Sequence, residues 1–252
     1  VKPALRAIRT TVDAAVRRLP LSRKPTLLHG RLVWFAPGTW ASIHGRYEPY
    51  MARALRTALK RGDTFIDVGA HHGIWSVYAA SLVGPRGKVV ALEPSEAYRT
   101  LTENVRGHRH VAAIRCGASD REGHEVFFGQ GDATSGSFIR EVTAINEQHS
   151  RARVTGATVA ISTLDTLVAE HALTPSVVKL DVEGFELRVL SGATAVLAAK
   201  PRWVIEIHPP QLALSGGSEG AIFDLLHAHG YQTTIIDRNP NSLYTIVATP
   251  AR

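Results

Sequence analysis

The sequence predicts an α/β fold, a mostly parallel seven-stranded sheet with helices on both faces and an antiparallel hairpin at its C-terminal end. Three observations carry that expectation. From Thr64 to Val247, short runs rich in β-branched residues alternate with helical stretches. The turns between them are short, as in units that alternate strand and helix. The last two runs are separated by Asp237 to Asn241, where Asn239, Pro240 and Asn241 supply turn chemistry.

The elements follow in order. Strand Thr64 to Val68, helix Ile74 to Val83, strand Lys88 to Leu92, helix Glu96 to Val105 and strand Val111 to Cys116 make a βαβαβ half. An insertion at about residues 122 to 160 interrupts it. Its Gly, Ser and Thr content between Val126 and Val159 fits a β-hairpin or a mobile loop facing substrate. The alternation resumes with strand Val177 to Leu180, helix Phe185 to Ala199, strand Trp203 to Ile207 and helix Ala221 to His229. It ends in Gln232 to Ile236 and Leu243 to Val247. A second loop, Gln211 to Gly220, is expected beside the insertion.

Residues 1 to 62 read as a cap on a domain formed by residues 63 to 252. In Val1 to Arg18 and just beyond, Leu5, Ile8, Val12, Val16 and Leu19 recur at three- and four-residue steps, the pattern of an amphipathic helix with a basic outer face. Packing against the domain is its expected role, with membrane-surface contact or a dimer arm as alternatives. A small strand pair within Arg31 to Trp40 and a helix from Glu48 to Lys60 complete the cap.

With 252 residues, 44% of them hydrophobic, the chain can bury one substantial core. No apolar stretch approaches the roughly 20 residues of a membrane span. The first twenty residues scatter arginines instead of forming a secretory leader. The lone Cys116 allows no internal disulfide. A soluble, cytoplasmic protein is therefore expected. The formal charge of +7 is spread along the chain, so it is a weak pointer to nucleic acid.

The first chemical motif is DxGxHxG, formed by Asp67, Gly69, His71 and Gly73 at a strand-to-helix turn. Glycines there let backbone approach a ligand closely, and the helix start offers N–H groups to an anion. The spacing is not the GxGxxG of a dinucleotide cradle, and an acid at Asp67 suits a cofactor bearing an ammonium group. Glu93 ends the second strand, where a carboxylate can accept hydrogen bonds from both hydroxyls of a ribose. Together these imply an adenosine cofactor. The third motif, VVKLDVEGFE, places Asp181 and Glu183 at the end of the fourth strand. In WVIEIH on the next strand, Glu206 and His208 share a face. The expectation is a converging acid and base site at the carboxyl edge of the sheet.

The segments DVGAHHG, ALEPS and KLDVEGFELRVLSGA, followed by EIHP, resemble the FkbM family of S-adenosylmethionine-dependent O-methyltransferases, from about Tyr47 to His208. The resemblance implies a Rossmann-like class I methyltransferase fold and methyl transfer to a hydroxyl. It implies that Asp67, Gly69 and Gly73, with the intervening Ala70 and His71, lie at the methionine part of S-adenosylmethionine, and that Glu93 and Pro94 lie at its ribose. Ala118, Ser119 and Asp120 match the segment beside adenine, and Glu48 matches an acid preceding the first motif. Ser135 and Ser137 fall where such proteins contact cofactor or acceptor, and Asp181 borders the cofactor as well. His71 stands where the family usually carries Asn.

Methyl transfer requires the acceptor oxygen to be held near the methyl group and its proton removed. The expected catalytic residues are His208 or Asp181 as general base, with Glu183 and Glu206 orienting it. A divalent metal such as magnesium on Asp181, Glu183, Glu206 and His208 is the competing device, not the favoured one. The expected partner is a small-molecule hydroxyl acceptor containing sugar or belonging to a glycosylated or polyketide natural product. Nucleic acid is not expected, because the residues after the fourth strand lack the D/N-P-P-Y/F motif of base amino methylation. Cys116 reads as a core residue rather than a nucleophile. Arg140, Arg151 and Arg153 read as a solvated face beside the insertion, an anionic acceptor being the alternative. A homodimer and a cofactor-binding subunit without catalysis remain open alternatives.

Overall fold

The computed structural model describes residues 23–43, 47–129, 136–143, 154–238 and 243–251. The expected N-terminal amphipathic helix, Ser135, Arg151, Arg153 and the Asn239 to Asn241 turn lie outside the described residues. The main sheet has seven strands: β3 (Thr64–Val68), β4 (Lys88–Leu92), β5 (Val111–Ile114), β9 (Val177–Leu180), β10 (Arg202–Ile207), β11 (Tyr231–Arg238) and β12 (Tyr244–Pro250).

 The two remaining sheets are a hairpin of β1 (Lys24–Leu28) and β2 (Arg31–Phe35), and a three-stranded sheet of β6 (Gly117–Ala118), β7 (Gly123–Gly129) and β8 (Thr155–Ser162).

The main sheet runs in the order β11-β12-β10-β9-β3-β4-β5. The five strands from β10 to β5 are mutually parallel, and β12 pairs antiparallel with both β10 and β11. The chain therefore leaves β3 toward β4 and β5, then returns to β9 on the other side. That reversal makes the carboxyl ends of β3 and β9 the switch point where open α/β sheets bind ligands. The arrangement is the class I methyltransferase fold. Strands β3, β4 and β9 are apolar with little alternation because helices cover both faces.

Side chains along each strand divide between two cores. Phe65 and Val204 join Met51, Leu55, Trp75, Tyr78 and Leu101 on one face. Ile66, Val68, Trp203 and Ile205 join Val189, Leu226 and Ile246 on the other. The first face is covered by α2 (Pro49–Ala58), α3 (Ile74–Val83) and α4 (Ala97–Val105), after the short α1 (Pro37–Ser42). The second is covered by α5 (Leu164–Glu170), α6 (Glu186–Ser191), α7 (Thr194–Ala198), α8 (Pro209–Leu214) and α9 (Glu219–Ala228). Proline in the first turn starts α1, α2 and α8, where its missing N–H leaves no helical bond unmade.

Several element boundaries differ from expectation, while the insertion's hairpin is as expected. The helix from Phe185 to Ala199 is two helices, because Gly192 packs where a Cβ would lie 2.1 Å from the Ser119 carbonyl oxygen. Asp165 then caps α7, accepting from the backbone N–H groups of Ala195 and Val196, each at 2.9 Å. The expected loop from Gln211 to Gly220 contains most of α8, whose Leu212 is fully buried. The cap's strand pair starts earlier than Arg31, with Lys24 opposite Phe35, and Pro37 onward is helical. The insertion holds a true hairpin, β7 with β8, joined to the fold through β6. Helix α5, absent from the expected order, begins at Thr163, whose hydroxyl accepts from the Thr166 N–H at 3.1 Å.

Buried Asn104 fastens the cap. Its amide donates to His72 O at 2.7 Å and Thr39 Oγ1 at 2.9 Å, and its Oδ1 accepts from Ala36 N at 2.6 Å. One α4 side chain thus joins the cap to the turn after β3.

Candidate active site

The turn after β3 is shaped by close approach. Gly69 has φ 74° and passes so near β9 that a Cβ would sit 1.8 Å from the Asp181 carbonyl oxygen. Gly73, with φ 75°, leaves no room for a Cβ beside Leu101. His71 also adopts a left-handed φ of 49°, and its ring stacks on His72 with centroids 3.8 Å apart.

Asp67 is fully buried, and its carboxylate faces the protein. Oδ2 accepts from Ser76 Oγ at 2.6 Å, and Oδ1 lies 3.3 Å from Lys179 Nζ. That carboxylate is thus paired with an internal ammonium. Lys179 also donates to Gly69 O at 3.1 Å and lies 3.3 Å from Asp181 Oδ2. Burial alone would lower its pKa, but Asp67, Asp181, Glu48 and Glu206 more than reverse this and raise it. A permanently charged amine therefore joins the first and third motifs.

Glu93 ends β4 almost fully buried. Its Oε2 accepts from His71 N at 2.7 Å and its Oε1 from Ser95 N at 2.9 Å. Burial raises its pKa, and the bonds from Ser95 and His71 act in the opposite direction.

A cavity of about 90 Å³ opens at this edge, lined by Gly69, His71, Glu93, Pro94, Ala118, Asp181 and Glu183 among others. Of the remaining sequence-predicted cofactor residues, Glu48, Ala70, Gly73, Ser119 and Ser137 are not part of its lining. Glu48 accepts from Trp75 Nε1 at 3.0 Å. Ser119 donates to Asp120 Oδ1 at 3.1 Å, and Ser137 donates to Glu183 O at 3.0 Å. For these side chains the structure shows internal partners where the sequence suggested a ligand.

At the carboxyl ends of β9 and β10, His208 is 2% exposed. Its Nδ1 is 2.7 Å from Glu186 Oε1, while Nε2 lies 3.8 Å from Asp181 Oδ1 and 3.7 Å from Glu183 Oε2. Burial opposes protonation of the imidazole, but the bond and charge of Glu186, with Glu183 and Asp181, push its pKa up to about 10. The surrounding carboxylates thus favour the protonated ring. For Asp181, burial is outweighed by Lys179 and His208, which hold the carboxyl below its ordinary value. Burial pushes Glu183 up to about 7 and Glu206 up to about 8. Glu183 also has φ 50°, a left-handed conformation costly for a side chain of its kind.

Donor atoms of Asp181, Glu206 and His208 lie within 4.8 Å of one another, whereas Glu183, included in the expected metal set, is outside that group. Glu186 is the residue that sequence reading missed. An acid in the first turn of a helix ordinarily reads as a partner of the helix dipole. Here it is fully buried, and its Oε1 also accepts from Gly184 N at 3.0 Å. The period of α6, which turns Glu186 inward with Val189 and Leu190, was the available signal.

The sheet order, with the glycine turn and the strand-end carboxylates at its switch point, is that of the class I methyltransferase fold. The sequence profile of the methyltransferase FkbM domain matches residues 67–233, and the chain belongs to that family. Among relatives, it is 31% identical over 172 residues to the hexuronic acid methyltransferase AglP of Haloferax volcanii, covering 67% of this chain and 66% of that protein. It is 28% identical over 202 residues to the AMB antimetabolite synthetase AmbE of Pseudomonas aeruginosa, covering 68% of this chain and 10% of that protein. The chain thus spans just under two thirds of one relative and a tenth of the other. A precorrin-6y C5,15-methyltransferase structure from Geobacter metallireducens is 14% identical, with a TM-score of 0.48 over 79% of this chain and 86% of that one. Among the described residues, no helix is long and apolar enough to cross a membrane.

Proposed function

We propose that this chain transfers a methyl group from S-adenosylmethionine to a hydroxyl of a sugar-containing small molecule, with Glu183 as the general base. The observation that carries this reading is the placement of Glu183 in the cofactor cavity, 3.7 Å from an imidazolium and with its pKa pushed up to about 7. A base works best when its pKa lies near the working pH. The sugar acceptor is suggested by the hexuronic acid methyltransferase relative.

The residues fit the cofactor on two counts. Gly69 and His71 bring the turn after β3 to the cavity wall, and the Glu93 carboxylate lines the same cavity, where it can accept from ribose hydroxyls. Asp181, which lines the cavity, takes over from Asp67 as the acid nearest the methionine end. S-adenosylmethionine, when bound, supplies the electrophilic methyl group. Glu183 would accept the acceptor's hydroxyl proton as the acceptor oxygen bonds the methyl carbon and the methyl–sulfur bond breaks, leaving S-adenosylhomocysteine. His208, fixed through Nδ1 by Glu186, orients Glu183 and Asp181 through its Nε2 side. Lys179 keeps Asp181 ionised.

The test is calorimetric titration of S-adenosylmethionine and S-adenosylhomocysteine into the wild-type chain and Glu93→Ala, followed by turnover on hexuronic acid glycosides. Tight binding that Glu93→Ala weakens, with product on a glycoside, is the expected result. No binding to folded protein would overturn the reading. A second reading, a divalent cation on Asp181, Glu206 and His208, is favoured by their clustered donor atoms. Turnover that survives EDTA and ignores added magnesium would remove it. Nucleic-acid carbon methylation through Cys116 is disfavoured, since burial pushes that thiol up to about 11.

A further inference from the structure

One wall of the cofactor cavity comes from the insertion instead of the main sheet. Phe127 on β7 and Phe138 reach the cavity from that side, with Gly117 of β6 beside them. Their rings meet edge to face with centroids 5.0 Å apart, and Phe138 also lies 4.8 Å from Phe185. Two glycines make room for the pair. A Cβ on Gly117 would stand 2.4 Å from Phe138 Cζ, and one on Gly136 would stand 2.5 Å from Phe127 Cε1.

This wall is fastened to the catalytic loop. Ser137 Oγ donates to Glu183 O at 3.0 Å, and its backbone exchanges hydrogen bonds with Phe128, Ser137 N to Phe128 O at 3.0 Å and Phe128 N to Ser137 O at 2.8 Å. The result is a bridge from the insertion's hairpin to the loop that carries Glu183.

The chemistry along the cavity changes in sequence. Gly69, His71 and Asp181 make one end polar, and Glu93 follows at the end of β4. Beyond it, at the ends of the neighbouring strands, stand the small residues Cys116, Gly117 and Ala118 with the two phenyl rings. A flat, uncharged ring system suits that last compartment, because aromatic faces stack on nucleobases without needing a particular hydrogen-bond pattern.

We propose that Phe127 and Phe138 form the purine-binding wall of the cofactor site, held in place by the hydrogen bond from Ser137 to the Glu183 carbonyl. The proposal rests on the cofactor reading above. It goes further by assigning the two phenyl rings of the insertion to the purine.

The experiment uses the full chain and S-adenosylhomocysteine. Calorimetry compares wild type, Phe138→Ala, Phe138→Leu, Phe127→Leu and Ser137→Ala, with a melting curve for each. Loss of a stacked ring is expected to weaken binding about five- to hundred-fold. Loss of the Ser137 hydroxyl is expected to weaken it about two- to ten-fold. In the wild-type complex, the purine H2 and H8 protons should show nuclear Overhauser contacts to phenylalanine ring protons that disappear in Phe138→Leu. Wild-type binding with unchanged affinity in folded Phe138→Leu and Phe127→Leu, and no purine-to-phenyl contacts, overturns the wall while leaving the cofactor reading standing. Absence of binding to folded wild type overturns both.

Discussion

Three carboxylates meet around His208, and their differences in environment assign their work. Glu186 has no route to solvent and fixes Nδ1, Asp181 is held ionised by Lys179, and Glu183 sits at the threshold of ionisation. Replacing Glu183 by Gln is expected to lower kcat about 10² to 10⁴-fold and to abolish the rise in rate with a midpoint near pH 7, which a pH–rate profile would reveal. A profile that keeps that limb in the variant would move the base elsewhere. Glu186→Gln removes the charge that favours the imidazolium, so the His208 pKa should move down in an NMR titration, with a fall in kcat at little change in acceptor KM. An unmoved titration would show that Glu186 does not control the ring.

At the scale of elements, the first and third motifs behave as one unit. The Gly69 turn and the end of β9 touch backbone to backbone, and Lys179 ties both to Asp67. Lys179→Met leaves a buried carboxylate without its partner and is expected to cost about 3–5 kcal/mol in denaturant unfolding. Gly69→Ala combines a strained φ with a clash and is expected to cost about 2–6 kcal/mol. Gly220→Ala in α9 meets nothing closer than 3.9 Å and should be neutral or slightly stabilising in the same assay. Equal losses at positions 69 and 220 would contradict the role of close approach.

The elements also show what a sequence can and cannot disclose. Strands Thr64–Val68, Lys88–Leu92 and Val177–Leu180 were legible to the residue, since burial on both faces writes itself as a continuous apolar run. The break at Gly192 was not legible, because it depends on Ser119 and on a cap from Asp165, about thirty residues upstream. For the same reason, the carboxylates at the strand ends could be named, but not their duties. Asp67 turned inward because Lys179, far along the chain, supplied its cation, and Glu186 was hidden in a helix start.

Several buried acids among the described residues have shifted pKa values, and this makes stability depend on pH. Glu183 and Glu206 move up from an ordinary 4.5 to about 7 and about 8, so the folded state holds protons that the unfolded state releases. Their contribution is fully present below about pH 4.5 and is lost as pH rises through 7 to 8. His208, raised from 6.5 to about 10, adds stability below 6.5 that is lost as pH rises through about 10. Asp181 works oppositely: with a depressed pKa, its contribution is present above an ordinary 3.8 and lost in acid. Melting followed by calorimetry should therefore give a higher Tm at pH 6 than at pH 9. A Tm that is equal or higher at pH 9 would refute this balance of buried charge.

The cavity lining is gathered from segments that begin at Val68 and end at Glu183, crossing four strands and the insertion. Such a site has no counterpart in the unfolded chain, so affinity and resistance to heat become a single observable. A ligand at a hundred times its Kd adds about 2.7 kcal/mol to the folded state. Candidate acceptors can thus be ranked by melting alone, with S-adenosylhomocysteine present throughout, before any of them has been seen to react.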